Sequence, residues 1–133
     1  MAYLMIVDDD EDFAAAAAKS LQKSGHEVRV ELETGSAVAR MLDRWPDLVI
    51  LDVMFPEDAS AGFELARRIR HEHEAIKDVP ILMLTAVNVK FPLGFGLDDV
   101  DDAWLPVNDF VEKPVDLKVL ENRVTALLQP AGR

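Results

Sequence analysis

Three short apolar runs, each ended abruptly by a residue that carries a charge or a hydroxyl, limit most strongly how this sequence can fold. The runs are AYLMIV at residues 2–7, LVIL at 48–51 and ILML at 81–84. An unbroken apolar run of this length is typical of a β-strand that is buried on both faces, as in a parallel sheet covered by helices. The sequence therefore predicts three central strands of a parallel sheet.

The segments between these runs predict two further strands and four helices. Residues 28–32 alternate apolar with charged side chains, which is typical of a strand with one wet face, and residues 109–112 predict a short last strand. Apolar residues spaced three or four apart predict the helices. The first runs from Phe13 to a cap at Gly25, and the second from a cap at Ser36 past Trp45 to a stop at Pro46. The third covers 62–73, and the fourth runs from a cap at Asp116 to Leu128.

This alternation of strands and helices predicts an α/β fold. Right-handed crossovers, with the charged strand and the short last strand at the edges, favour a five-stranded parallel sheet in the order 2-1-3-4-5. The result is a flavodoxin-like three-layer sandwich with a long irregular connection at 86–108 between the fourth and fifth strands. With 133 residues in all, we expect one domain over 1–128 and a tail at 129–133.

The composition excludes several classes of function. Cysteine is absent, which rules out disulfides and thiolate metal sites, and 25 acidic against 14 basic residues give a net charge of −11. Such a chain should not bind nucleic acid unaided or approach an anionic membrane. No apolar run approaches a membrane span and no signal peptide is visible, so a cytoplasmic location is expected. Part of the acid excess is expected to be solvating surface, namely Glu27, Glu31, Glu33, Asp98, Asp99, Asp101 and Asp102.

Polar residues stand where the predicted strands end. Asp8 and Asp9 follow the first strand, Asp52 the third, Thr85 the fourth and Lys113 the fifth. Ligands of such sheets bind beyond the carboxyl ends of the strands, so these groups are expected to converge. Clustered carboxylates suit a hard, partly hydrated cation such as Mg²⁺. Together with a hydroxyl and an ammonium they are equipped for phosphoryl transfer, with Asp52 as a carboxylate nucleophile.

Each of these residues also has an ordinary structural interpretation. The acidic run 8–12 could simply favour the positive end of the first helix. Asp52 could be a turn residue, Thr85 an ordinary strand-end hydroxyl and Lys113 a surface charge. The coincidence of all of them at one end of the sheet favours a site.

At these residues the sequence resembles the receiver domain of two-component response regulators, over nearly its whole length. Four motifs carry the resemblance: IVDDDEDF at 6–13, LVILDVMFP at 48–56, ILMLTA at 81–86 and DFVEKPVD at 109–116. The resemblance implies a phosphorylation-dependent signalling switch in a two-component phosphorelay. It also implies a sensor histidine kinase or histidine phosphotransfer protein as donor, a downstream protein target, and a monomer or a phosphorylation-dependent homodimer.

The resemblance also assigns roles to individual residues. Asp52 would accept the phosphoryl group, Asp9 would bind Mg²⁺ directly, Asp8 would act through water, and Met54 would add its backbone carbonyl. Thr85 and Lys113 would contact phosphoryl oxygens, and Ala86 would control access to the phosphoryl group. Phe110 would be the aromatic switch, and Lys113–Pro114 would be a cis peptide. Such a protein is not an enzyme, beyond catalysing its own phosphoryl transfer and dephosphorylation.

Two other functions are compatible with parts of the pattern. A Mg²⁺-dependent phosphatase of the haloacid-dehalogenase type also uses an aspartyl nucleophile, but it has a second aspartate two residues on, where this chain has Met54. A pseudo-receiver that only binds partners is the other alternative. The presence of Asp52, Thr85 and Lys113 disfavours it.

Overall fold

The computed structural model describes residues 2–52, 61–72, 74–86, 109–113 and 115–128. Within these ranges the chain alternates strands and helices. The elements are β1 (Tyr3–Val7), α1 (Glu11–Lys23), β2 (Glu27–Glu31), α2 (Thr34–Asp43), β3 (Leu48–Asp52), α3 (Ala61–His71), a 3₁₀ turn (Glu74–Ile76), β4 (Ile81–Ala86), β5 (Asp109–Lys113) and α4 (Leu117–Leu128). Residues 87–108 of the predicted irregular connection, and the predicted tail at 129–133, lie outside the described residues.

The five strands form one sheet in the order β2-β1-β3-β4-β5, with every pair parallel. The predicted order is confirmed, and so are the positions of the charged strand and the short last strand at the edges. All five residues of β1 and all five of β3 are buried. Two-sided burial is what their unbroken apolar sequences require, because each face of a central strand packs against helices.

The two faces of the sheet support two separate apolar cores. Met5 and Val7 of β1 pack with α2, α3 and the 3₁₀ turn on one face. Leu4 and Ile6, which alternate with them, pack with α1 and α4 on the other. The side-chain period of two in a strand thus divides one apolar run between two cores, and this gives the three layers.

The ends of two helices follow from local chemistry that the sequence predicts. Gly25 follows α1 with a φ of +98°, and its amide donates to the carbonyl of Gln22 at 3.0 Å. Asp116 precedes α4, and its carboxylate accepts from the amide of Lys118 at 2.7 Å. Both predicted caps are confirmed.

Helix α2 differs from its prediction at both ends. It begins at Thr34 after Glu33, which makes no side-chain capping hydrogen bond. Ser36 lies inside the first turn and donates its hydroxyl to Glu31 at 2.8 Å, so the predicted Ser36 cap is wrong. The helix ends at Asp43 and does not extend past Trp45 as predicted. Trp45 follows the helix and is 63% exposed.

The described helices are short. The two longest, α1 and α4, have 13 and 12 residues. A helix needs roughly 20 apolar residues to cross a bilayer. Across the described ranges, no helix combines the length and apolarity of a membrane span.

Replacing Gly25 tests the backbone requirement at the end of α1. Its φ is +98°, and a Cβ at this position would meet no atom within 4 Å, so the whole penalty comes from the backbone. We expect Gly25→Ala to lower the free energy of unfolding by about 1–2 kcal/mol, measured by urea denaturation.

Gly35→Ala is the matched control. A Cβ there also meets open space, but the residue lies within helix α2. Alanine should therefore leave the stability unchanged or raise it by up to about 1 kcal/mol. Equal stability of Gly25→Ala and the wild type would contradict the left-handed assignment.

Candidate functional site

The register of the central strands places Asp8 beside Asp52. Ile6 is paired with Ile50 and Val7 with Leu51, so the next residue of each strand continues the same ladder. Asp8 is fully buried and Asp52 is 5% exposed. Two carboxylates at this depth repel each other and are costly to keep charged unless positive charge compensates them.

A third carboxylate completes a compact cluster. One oxygen from each of Asp8, Asp9 and Asp52 lies within 4.8 Å of the other two, and Asp9 is the most accessible of the three. Ionised carboxylates only accept hydrogen bonds, and their oxygens are the ligands that Ca²⁺ and Mg²⁺ prefer. The donor set therefore fits a hard divalent cation that is open to solvent on the Asp9 side.

The three consecutive aspartates after β1 have different roles. Asp8 faces the cluster, and one of its carboxylate oxygens also accepts from the amide of Asp10 at 2.9 Å. Asp10 is the N-cap of α1 and accepts from the amide of Phe13 at 3.1 Å. Glu11 and Asp12 lie in the first turn, where the positive end of the helix favours acidic residues. The helix interpretation of this acidic run is therefore confirmed for Asp10, Glu11 and Asp12, whereas Asp8 and Asp9 lie in the cluster.

The last predicted site residues lie at the ends of β4 and β5. Asp52 is paired with Leu84, so Thr85 lies one residue beyond the level of Asp52, at the same edge of the sheet. Thr85 is paired with Glu112, and Lys113 is the last residue of β5, paired with Ala86. Phe110 is also in β5, and is paired with Met83. The backbone thus brings Thr85 and Lys113 to the predicted edge, whereas Phe110 lies three residues before the end of β5. Met54 and Pro114 lie outside the described residues.

Glu31 is a correction to the expected solvating surface. It is only 8% exposed, and its carboxylate accepts from Nε of Arg29 at 2.6 Å and from the hydroxyl of Ser36 at 2.8 Å. Burial raises the pKa of the Glu31 carboxyl and these two hydrogen bonds lower it, and the pKa lies below its ordinary value. The carboxylate is therefore charged at neutral pH.

Sequence reasoning missed the local arrangement around Glu31. The alternation along β2 does put Glu27, Arg29 and Glu31 on one face, and this was the available signal. What covers that face depends on where α2 starts, and the prediction placed its N-cap at Ser36, three residues after the observed N-cap Glu33.

Comparison with known proteins identifies the family. Residues 4–125 match the family model of the response regulator receiver domain. The chain belongs to this family. The resemblance carried by the four motifs is thus confirmed, and so is the flavodoxin-like fold.

Two curated relatives of this receiver domain are transcriptional regulators. The transcriptional regulatory protein AfsQ1 of Streptomyces coelicolor is 34% identical over 133 residues, which are 100% of this chain and 54% of that protein. The phosphate regulon transcriptional regulatory protein PhoB of Pseudomonas aeruginosa is 34% identical over 129 residues, 97% of this chain and 52% of that protein. The chain thus spans about half the length of these relatives.

A solved structure agrees over nearly the whole of both chains. A protein from Chloroflexus aurantiacus, described as a response regulator, superposes with a TM-score of 0.78 at 32% identity. The match covers 96% of this chain and 97% of that one. The two chains therefore share the same fold over nearly their whole length.

Divalent cations should stabilise this receiver domain through the aspartate cluster. At a hundredfold excess of a divalent ion over its Kd, we expect the free energy of unfolding to rise by about 2.7 kcal/mol. Asp9→Asn should remove most of this increase, because it deletes the charge of the most accessible carboxylate. Asp12→Asn, in the exposed first turn of α1, is the control and should respond like the wild type. Thermal denaturation with and without the ion measures the effect, and an equal response of both variants would contradict the cluster as the binding site.

Acid should weaken the contribution of Glu31 to stability. Because the pKa of the folded state is depressed, this contribution is present above the pKa of the unfolded state and is lost as pH falls through the folded pKa. We expect Glu31→Gln to be less stable than the wild type at neutral pH, and the difference to shrink between about pH 6 and about pH 3. Urea denaturation across this range tests it, and a difference independent of pH would be the contrary result.

Proposed function

We propose that this receiver domain is a phosphorylation-dependent switch in a two-component phosphorelay, with Asp52 as the phosphoryl acceptor. A sensor histidine kinase or a histidine phosphotransfer protein would supply the phosphoryl group. The observation that carries the proposal is the cluster of Asp8, Asp9 and Asp52, with oxygens within 4.8 Å of one another at the carboxyl end of a parallel sheet. Membership of the receiver family supports phosphorylation-dependent signalling as the function of this domain.

The proposed reaction moves a phosphoryl group from nitrogen to oxygen. A carboxylate oxygen of Asp52 forms the new bond to phosphorus while the bond between phosphorus and the donor histidine nitrogen breaks. The nitrogen keeps the electron pair of the broken bond. Bound Mg²⁺ would supply positive charge that offsets the phosphoryl oxygens, with Asp9 as a direct ligand, Asp8 acting through water and Met54 offering its carbonyl.

The sheet would hold Asp52 in a fixed position for the reaction. Asp8 and Asp52 are buried at the ends of neighbouring central strands, so their positions are set by the sheet and not by mobile side chains. A nucleophile fixed in this way loses little freedom on reaching the transition state. The domain would thereby catalyse its own phosphorylation and dephosphorylation, without acting as an enzyme on other substrates.

The proposed conformational switch involves residues of β4 and β5. Thr85 and Lys113 would contact phosphoryl oxygens. Ala86 would leave the phosphoryl group accessible, and Phe110 would act as the aromatic switch. A phosphoryl group adds up to about two negative charges, and the Lys113 ammonium would offset part of them. A cis Lys113–Pro114 peptide belongs to the same proposal, since an X–Pro bond makes the cis form accessible.

The output is proposed to be a protein contact. The two curated relatives are described as transcriptional regulators, and the chain spans about half of each. A net charge of −11 opposes direct contact with nucleic acid, so a transcriptional output would need another domain or chain to bind DNA. Phosphorylation-dependent homodimerisation is one form that this contact could take.

Labelling with acetyl phosphate in the presence of Mg²⁺ tests the acceptor. The wild type should form a phosphoprotein that resists acid and is labile to alkali, as an acyl phosphate is, and Asp52→Asn should form none. Asp12→Asn is the control and should label like the wild type. Labelling that persists in Asp52→Asn would move the acceptor elsewhere, and sustained turnover of p-nitrophenyl phosphate would favour a phosphatase instead.

A further inference from the structure

The described residues contain one buried acidic side chain outside the aspartate cluster, and it lies next to that cluster in the sheet. This residue is Glu31, the last residue of β2, which is paired with Val7 just before Asp8. We propose that Glu31 is a positioning residue for the metal site. Held by Arg29 and Ser36, Glu31 would fix the end of β2, to which the backbone of Asp8 is hydrogen-bonded. The inference rests on the proposed function, since it assumes that the aspartates bind Mg²⁺.

The first step is a direct backbone contact. The amide of Asp8 donates to the carbonyl of Glu31 at 3.0 Å, one position beyond the paired residues of β1 and β2. The carboxylate of Asp8 is in turn oriented by the amide of Asp10 at 2.9 Å. The backbone at Asp8 is therefore held by β2, and a displacement of Glu31 would also displace Asp8.

The second step is the edge position of β2. Among the strands that the structure describes, β2 has β1 as its only neighbour, whereas β1 and β3 each have two. Its end is consequently held by fewer ladder hydrogen bonds than the ends of the central strands. The side-chain contacts of Glu31 compensate, because Ser36 ties it to the first turn of α2 at 2.8 Å and Arg29 ties it back to its own strand at 2.6 Å.

The third step separates positioning from direct ligation. The Glu31 carboxylate accepts from Arg29 and Ser36, and it is not among the oxygens that converge in the aspartate cluster. Its charge is also paired with that of Arg29. Glu31 would thus act through the backbone of Asp8 and not as a ligand.

Glu27 provides a matched comparison on the same strand. It lies on the same face of β2 at the opposite end, paired with Tyr3 at the start of β1, and it forms an ion pair with Arg44. Both partners of that pair are more than half exposed. Glu27→Ala and Glu31→Ala therefore remove the same charge and one arginine contact each, but only the second change affects the strand end that holds Asp8.

The experiment is calorimetric titration of the folded, cation-free protein with Mg²⁺. We expect Glu31→Ala to weaken Mg²⁺ binding about tenfold, as is typical when the partner that orients a metal ligand is removed. Ser36→Ala, which leaves the charge of Glu31 in place, should weaken binding about threefold through the loss of one hydrogen bond. Glu27→Ala should stay within about twofold of the wild type, because its exposed ion pair lies at the far end of the strand.

Glu31→Gln separates positioning from simple charge. This variant removes the charge but keeps an amide oxygen that can accept from Arg29 and Ser36, so a positioning effect should be largely rescued, with an Mg²⁺ affinity within about threefold of the wild type. A loss in Glu31→Gln as large as that in Glu31→Ala would overturn the inference. Equal losses in Glu27→Ala and Glu31→Ala would overturn it as well.

The remaining outcomes distinguish this inference from the proposed function. Normal Mg²⁺ binding by both Glu31→Ala and Ser36→Ala would overturn the positioning role and leave the metal site intact. A wild type that does not bind Mg²⁺ would overturn both. If Glu31→Ala does not fold, Ser36→Ala decides alone, and its unchanged affinity would count against the inference.

Discussion

The parallel pairing of β1 with β3 is the constraint on which the candidate site depends. Apolar pairs such as Ile6 with Ile50 fix the register of these strands, because slipping by one residue would turn each buried face toward the opposite core. The same register carries Asp8 and Asp52 to adjacent positions at the strand ends. The sheet therefore holds together two charges that repel each other. The packing energy of two apolar cores maintains an arrangement that the carboxylates alone would avoid, and a bound cation would relieve it.

The central sheet and the site at its edge were predictable because both follow from short-range patterns. Unbroken apolar runs indicate central strands, alternation indicates an edge strand, and the carboxyl ends of parallel strands necessarily meet. The sequence thus predicted that Asp8 and Asp52 lie together, although they are more than forty positions apart. Which residues of a short polar run join the cluster was harder to predict, since Asp9 and Asp10 are chemically identical and only the start of α1 makes Asp10 the cap.

What could not be predicted depends on contacts between elements. Ser36 has a hydroxyl suited to capping, yet it donates to a buried carboxylate from the neighbouring strand. Glu31 has the sequence context of a solvated strand end, yet α2 covers it and Arg29 neutralises it. Trp45 continues the helical spacing but comes after the helix has ended, and it remains exposed. For Ser36 and Glu31 the local preference is real, but a contact between β2 and α2 decides the outcome.

The charged face of β2 has a consequence for the protein in a crowded solution. An edge strand exposes backbone groups that another chain could use to extend the sheet, and such pairing leads to aggregation. Glu27 and Arg29 put charges of opposite sign along this strand, each held by an ion pair to its own chain. A foreign strand would have to break these pairs and dehydrate both charges before it could dock. The charged face of β2 therefore also protects the edge of the sheet from pairing with its own copies.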